Sequence, residues 1–95
     1  MFKVVVSPRA RHDLLEIIDF ISRDNPDAAE RFGSELLDHA ELLADFPHIG
    51  APVSQRSGVR KLLHTPIRIY YRVDEERKVV EILHFWHAAR RDPDL

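Results

Sequence analysis

The hydrophobic and polar positions in the first quarter of the chain predict one strand and one helix. Phe2 to Val6 is rich in β-branched residues and ends at Ser7-Pro8, as a short strand would. Ser7 is a suitable helix N-cap, and Pro8 is a suitable first helical residue. Behind them, apolar residues recur at the spacing of one helical face: Leu14, Ile17, Ile18 and Ile21. We therefore predict a helix that ends near Arg23.

A second helical pattern follows the turn signal Asp24-Asn25-Pro26, where Asn25 is a candidate cap. Its apolar residues also recur every three or four positions: Ala29, Phe32, Leu36, Ala40 and Leu43. The pattern predicts a helix to about Asp45, before Pro47. Two amphipathic helices joined by a short turn form an αα-hairpin, and each needs a surface on which to bury its apolar face.

Strand patterns dominate the second half, after a predicted loop from Phe46 to Ser57 that prolines and glycines interrupt. We predict strands at Val59–His64, at Ile67–Val73 and from Lys78 to about Trp86. The second of them alternates, with Ile67, Ile69, Tyr71 and Val73 on one face and Arg68, Tyr70 and Arg72 on the other. The last is almost continuously hydrophobic, which is typical of a strand covered along most of its length. His87 to Leu95 is predicted as a tail.

The order of elements is therefore β-α-α-β-β-β, which predicts an α+β fold. We expect a small, mostly antiparallel sheet that includes the N-terminal strand, with the αα-hairpin packed on one face. Ile69 and Tyr71 should lie on that face, towards the helices. The 95 residues favour a single domain, 1–95. No apolar run approaches the roughly 20 residues of a membrane helix, and the opening patch is too short for a signal peptide. We expect a cytoplasmic protein without a membrane segment.

Charge is distributed unevenly along the chain. Residues 1–50 carry five Lys/Arg and ten Asp/Glu, a balance of −5, whereas residues 51–95 carry nine and six, a balance of +3. No acid occurs between Asp45 and Asp74. Five basic residues lie in that interval: Arg56, Arg60, Lys61, Arg68 and Arg72. The cluster favours a specific anionic partner, although single members can equally well solvate a sheet face.

The residues give little support for metal binding or for nucleophilic catalysis. Without cysteine, thiolate sites are excluded, and the six histidines show no helical metal-ligand pair. We expect no metal and no cofactor, and His84 is better read as a partly buried, hydrogen-bonded residue. No Gly-x-Ser-x-Gly turn and no glycine-rich phosphate loop occurs.

The candidate functional residues form a polar face on the predicted sheet. They are Arg60, Arg68, Tyr70 and Arg72 on the strands, with His87 and Arg90 after them. Arginine can grip phosphates, tyrosine can stack on a base, and a histidine can move a proton near neutral pH. The same residues would equally suit a docking face for an acidic peptide, so both interpretations stay open.

Several segments in order resemble the RelE/ParE toxins of type II toxin–antitoxin operons, in particular ParE-like members of the plasmid-stabilisation type. The matching segments are SPRARHDLLEIIDFI, NPDAAERF, FPHIG, VRKLLHTPIRIYYRVD and VVEILHFWHAARRD, which together extend over almost the whole chain. The resemblance implies the predicted α+β fold. It also implies a cognate antitoxin, whose C-terminal segment wraps the toxin and silences it.

Two activities divide the family that the chain resembles. RelE-like members cut messenger RNA on the ribosome, whereas ParE-like members bind DNA gyrase and trap it on broken DNA. The chain has Ala88-Ala89 where RelE places an arginine, and it has no aromatic residue after Trp86 where RelE has a tyrosine. Its net charge of −2 also suits a ribosome binder poorly. We therefore expect ParE-like action, with RelE-like cleavage, or a toxin fold that has lost toxicity, as alternatives. His87 would be catalytic only in a nuclease.

Overall fold

The computed structural model describes all 95 residues, which form two α-helices and five strands. The elements in chain order are β1 (Lys3–Val6), α1 (Pro8–Ser22), α2 (Pro26–Glu41), a 3₁₀ turn (Leu42–Ala44), β2 (Ala51–Pro52), β3 (Val59–His64), β4 (Ile67–Asp74) and β5 (Val79–His87). The α+β fold class predicted from the sequence is confirmed.

The five strands form one mixed sheet in the order β1-β5-β4-β3-β2. β1 runs parallel to β5, and the other neighbours are antiparallel. β5 lies inside the sheet, which explains its nearly continuous hydrophobic sequence. Its register with β4 shifts between Tyr70 and Tyr71, which pair with His84 and Ile82, so Leu83 is an extra residue at a β-bulge.

Both helices begin at the predicted caps. The Ser7 hydroxyl accepts a hydrogen bond from the Ala10 amide at 3.1 Å, and the Asn25 side chain accepts one from the Ala28 amide at 3.0 Å. The second helix is shorter than predicted, because α2 ends at Glu41 and the chain tightens into the 3₁₀ turn. Neither α1 nor α2 has the length and apolar character of a membrane-spanning helix.

The main core lies between the αα-hairpin and one face of the sheet. Its buried members are Ala10, Leu14, Leu36, Ala40, Leu43, Ile67, Ile69, Tyr71, Val80, Ile82 and Phe85, and Ile17 packs against them partly buried. The prediction that Ile69 and Tyr71 face the helices is confirmed. Each large aliphatic side chain buried here stabilises the fold by roughly 1.5–3 kcal/mol.

A second, smaller core lies on the opposite face of the sheet. It contains Val53, Val59, Tyr70 and Trp86, with Leu83 and Leu95 packed against it. The loop before β3 and the tail after β5 supply its outer side, and the predicted loop also contains the short edge strand β2. The expectation that this face is simply polar was wrong, because those two irregular segments fold back over it.

Candidate binding face and its surroundings

The register of β3 and β4 decides which basic residues share a face of the sheet. Arg72 lies opposite Val59, and directly opposed residues of neighbouring strands point to the same side. Arg68 alternates with Arg72 along β4 and therefore lies on that side too. Arg60 follows Val59 and points to the other side, towards the helices. The predicted cluster of three arginines is divided by the sheet.

Arg68 and Arg72 both have acidic partners in the same chain. Arg72 donates to Glu81 of the neighbouring strand at 2.8 Å, and Arg68 donates to Asp92 of the tail at 3.1 Å. The Arg68 side chain is 30% exposed and that of Asp92 is 48% exposed. These pairs are accessible to solvent, and exposed ion pairs are weak, so an anionic partner can compete for the arginines.

Tyr70 does not offer its ring to a ligand in this structure. It is 1% exposed and belongs to the second core, and its hydroxyl lies 3.3 Å from Asp92 Oδ1. The expectation of an open Tyr70 on a polar face was therefore wrong. Strand alternation alone could not show that the tail would cover this position.

Arg60 has a structural environment on the helix side of the sheet. Its guanidinium donates to the carbonyl oxygens of Gly50 at 2.7 Å and His48 at 3.3 Å. Beside it, burial raises the pKa of the Tyr71 hydroxyl, and the Gly50 hydrogen bond and the Arg60 charge act in the lowering direction. Arg60 thus holds the loop that precedes β2, which contains the FPHIG segment, against the sheet.

His87 is the last residue of β5, and Arg90 lies three residues beyond it. His87 pairs with Ile67, a residue of the main core, and therefore points to the helix side. Trp86 pairs with Arg68 on the opposite side. The guanidinium carbon of Arg90 stands 3.8 Å from the centroid of the Trp86 ring, a cation–π contact. The sheet therefore separates the His87 side chain from Arg68.

A groove of about 620 Å³ opens on the helix side next to His87. Apolar side chains from both helices and two strands line much of it, among them Ile17, Phe20 and Phe85. Phe20 is 71% exposed. The sequence analysis did not predict this groove. Phe20 could have indicated it, because it is a large apolar residue that lies off the apolar face of α1.

A buried acidic residue also escaped the sequence analysis. Asp13 on α1 is 7% exposed and accepts hydrogen bonds from His84 Nδ1 at 3.0 Å and the Phe85 amide at 3.3 Å. Both donors lie on β5 beyond Ile82, where the strand no longer pairs with β1. His84 is the partly buried, hydrogen-bonded residue that we expected, and its partner is Asp13.

The sequence family described as "ParE toxin of type II toxin-antitoxin system, parDE" matches residues 4–92. The chain belongs to this ParE toxin family. It is also 34% identical to the candidate toxin Y4kP of Sinorhizobium fredii over 88 residues, which make up 92% of this chain and 88% of that protein. The resemblance to the RelE/ParE superfamily is thus confirmed, and the protein is the toxin component of a type II toxin–antitoxin system.

Three solved structures share the fold of this ParE-family toxin. A chain of the chromosomal ParDE system of P. aeruginosa superimposes with a TM-score of 0.77 at 24% identity, covering 92% of this chain and 96% of the other. The complex RelBE2 of Mycobacterium tuberculosis gives 0.70 at 26% identity, covering 90% and 96%. The isolated E. coli RelE toxin gives 0.64 at 17% identity, covering 97% and 89%. The ParDE and RelE likenesses show the fold alone.

Proposed function

We propose that this toxin arrests growth by binding DNA gyrase and trapping it on broken DNA, with no hydrolytic chemistry of its own. The separation of Arg68 from His87 by the sheet is the observation that carries this proposal. A nuclease needs proton-transferring groups beside the phosphate that its basic residues hold. His87 instead lines a largely apolar groove, and Arg68 lies on the other side of the sheet. Arg90 is the only other basic residue that lines this groove, and its guanidinium packs on the Trp86 ring.

The charge of the chain also favours gyrase over the ribosome as the target. The net charge of −2 gives no general attraction to ribosomal RNA. Tyr70 is buried, so its ring is not free to stack on an RNA base. A protein target with its own local complementarity suits this surface better. We place this action in the cytoplasm, where gyrase acts on the chromosome.

Controlled expression of the chain, alone and as His87→Ala, tests this function. Gyrase poisoning predicts filamentous cells, an induced DNA-damage response and accumulation of cleaved DNA in a purified gyrase reaction, all retained in His87→Ala. Removing a general acid or base would cost a nuclease about 100- to 10,000-fold in rate. Cleavage of ribosome-bound message that disappears in His87→Ala would instead establish the RelE-like alternative.

We also propose a cognate antitoxin whose acidic segment docks on the face of Arg68 and Arg72. The acid-free stretch between Asp45 and Asp74 supports this surface. The complexes named ParDE and RelBE2, whose folds match this chain, support a two-component system.

Binding of the antitoxin encoded next to this toxin, measured by calorimetry, tests the surface. Arg68→Glu should weaken binding by about 2–5 kcal/mol, because a charge pair becomes a repulsion. Arg31→Glu, an equal charge change on the exposed side of α2, is the matched control and should bind normally. Normal binding by Arg68→Glu together with weaker binding by Arg31→Glu would instead place the docking surface on the αα-hairpin.

A further inference from the structure

The tail, residues 88–95, lies across the sheet face that carries Arg68. Asp92 Oδ1 accepts a hydrogen bond from the Arg68 guanidinium at 3.1 Å and lies 3.3 Å from the Tyr70 hydroxyl. The second carboxylate oxygen of Asp92 accepts one from Gln55 at 3.0 Å. The position that suits an anionic partner is therefore already occupied by a carboxylate of the same chain.

Apolar contacts flank this carboxylate in the tail. Pro93 is buried, and Leu95 packs against the second core. The indole nitrogen of Trp86 donates to the carbonyl oxygen of Arg91 at 2.8 Å. The part of the tail that lies on this face thus has a simple chemical pattern. An acidic residue, Asp92, is followed by apolar residues one and three positions later, Pro93 and Leu95.

We propose that the tail is an internal occupant of a peptide-binding face, and that a partner's acidic peptide segment of the same pattern displaces it to bind Arg68. The identity of that partner as the antitoxin rests on the proposed function, whereas closure by the tail does not. Because Arg68 and Asp92 are both partly exposed, their ion pair is weak and the tail can open. A longer partner segment makes more contacts and wins the competition.

A peptide fits this face better than a nucleic acid does. The site combines one available arginine with an apolar floor, and the Tyr70 ring is covered and cannot stack on a base.

Hydrogen exchange of the Trp86 indole N–H, followed by NMR on the full chain, measures tail opening. Trp86 is the only tryptophan, so its indole signal is unambiguous. In Asp92→Asn and Arg68→Gln we expect exchange about two- to fivefold faster than in the wild type, the factor that an exposed ion pair supplies. The double variant should exchange no faster than either single one, because both remove the same pair.

Asp94→Asn is the matched control, since it removes the same charge from an exposed residue two positions along the tail. It should exchange as the wild type does, and the backbone amides of β4 and β5 should be unchanged in all variants. Unaltered indole exchange in Asp92→Asn would overturn closure by the ion pair. A parallel rise in the strand amides would also overturn it, because it would show that the tail opens only when the whole protein unfolds.

A synthetic peptide with the sequence of residues 88–95, labelled at its N-terminus, tests the chemistry of the partner. It should bind the Asp92→Asn protein about two- to fivefold tighter than the wild type, because the internal competitor is weakened. The same peptide with Asn in place of its first Asp should not show this tighter binding to the Asp92→Asn protein. Equal binding of both peptides, or of neither, would overturn the proposed acidic partner. Both measurements use the purified chain alone, so their outcome is independent of gyrase poisoning.

Discussion

The backbone amide of Gly50 donates a hydrogen bond to the hydroxyl of Tyr71 at 2.9 Å. This contact joins the turn before β2 to the centre of the main core, where Tyr71 is completely buried. A Cβ on residue 50 would lie 2.6 Å from the carbonyl oxygen of Lys61 and 2.7 Å from the Tyr71 hydroxyl. Glycine is therefore required here by the close approach of the sheet.

Gly50→Ala should lower the free energy of unfolding by about 1–3 kcal/mol, since a backbone oxygen cannot move aside easily. Chemical denaturation measures this loss. Gly33→Ala is the control, because its Cβ would meet only the flexible end of Ile18 at 3.0 Å and would gain helix propensity. A stability loss in Gly33→Ala as large as that in Gly50→Ala would contradict this account.

Arg60 should contribute to stability through its two carbonyl contacts. We expect Arg60→Ala to lower the free energy of unfolding by about 1–2 kcal/mol, since hydrogen bonds from a charged donor are lost at a partly buried site. Lys61→Ala, the neighbouring cation on the opposite face of β3, should cost less. If the two variants proved equally stable to denaturant, the structural role of Arg60 would be wrong.

Folding stability should depend on pH through the pair His39 and His64. Their Nδ1 atoms lie 2.8 Å apart, between α2 and the end of β3. Burial lowers the pKa of His64 below its usual 6.5, the neighbouring His39 lowers it further, and Glu35 acts in the raising direction. The unfolded chain therefore binds this proton more readily than the folded chain does.

This difference in proton binding sets the direction in which folding stability changes with pH. Stability from neutral His64 is fully present above pH 6.5 and is lost as the pH falls from 6.5 towards the lowered pKa of the folded state. Urea unfolding between pH 5 and pH 8 measures the slope, which should be smaller in His64→Gln. A slope in His64→Gln as steep as that of the wild type would contradict this origin of the pH dependence.

Asp13 should be important for attachment of α1 to β5. Asp13→Ala leaves His84 and the Phe85 amide without their acceptor in a buried site, so we expect a loss of about 2–4 kcal/mol. The exposed Asp19, which pairs with Arg23 at 2.8 Å, provides a control that should cost well under 1 kcal/mol when replaced by Ala. A double-mutant cycle of Asp13→Ala with His84→Ala measures their coupling, and a coupling near zero would contradict the contact.

Local patterns in the sequence were sufficient for every helix and strand except the short edge strand β2, and for the main core. Helix caps such as Ser7 and Asn25 act on their own first turn, and the apolar stripe of a helix depends only on spacing. The alternation of β4 likewise placed Ile69 and Tyr71 on the helical side. These features involve residues close together in the chain, so a sequence pattern can report them.

The site required the tertiary structure, because it depends on contacts between distant residues. Only the strand register shows that Arg60 and Arg68 occupy opposite faces, since a pairing shifted by one residue would put Arg60 on the same face as Arg68. The burial of Tyr70 depends on a tail more than twenty residues further along the chain, and that of Asp13 on contacts with the last strand, 71 and 72 residues away. The sequence by itself determined the elements other than β2, the main core and the family resemblance. The partners of the polar side chains were decided by the packing of segments whose contacts leave no local pattern.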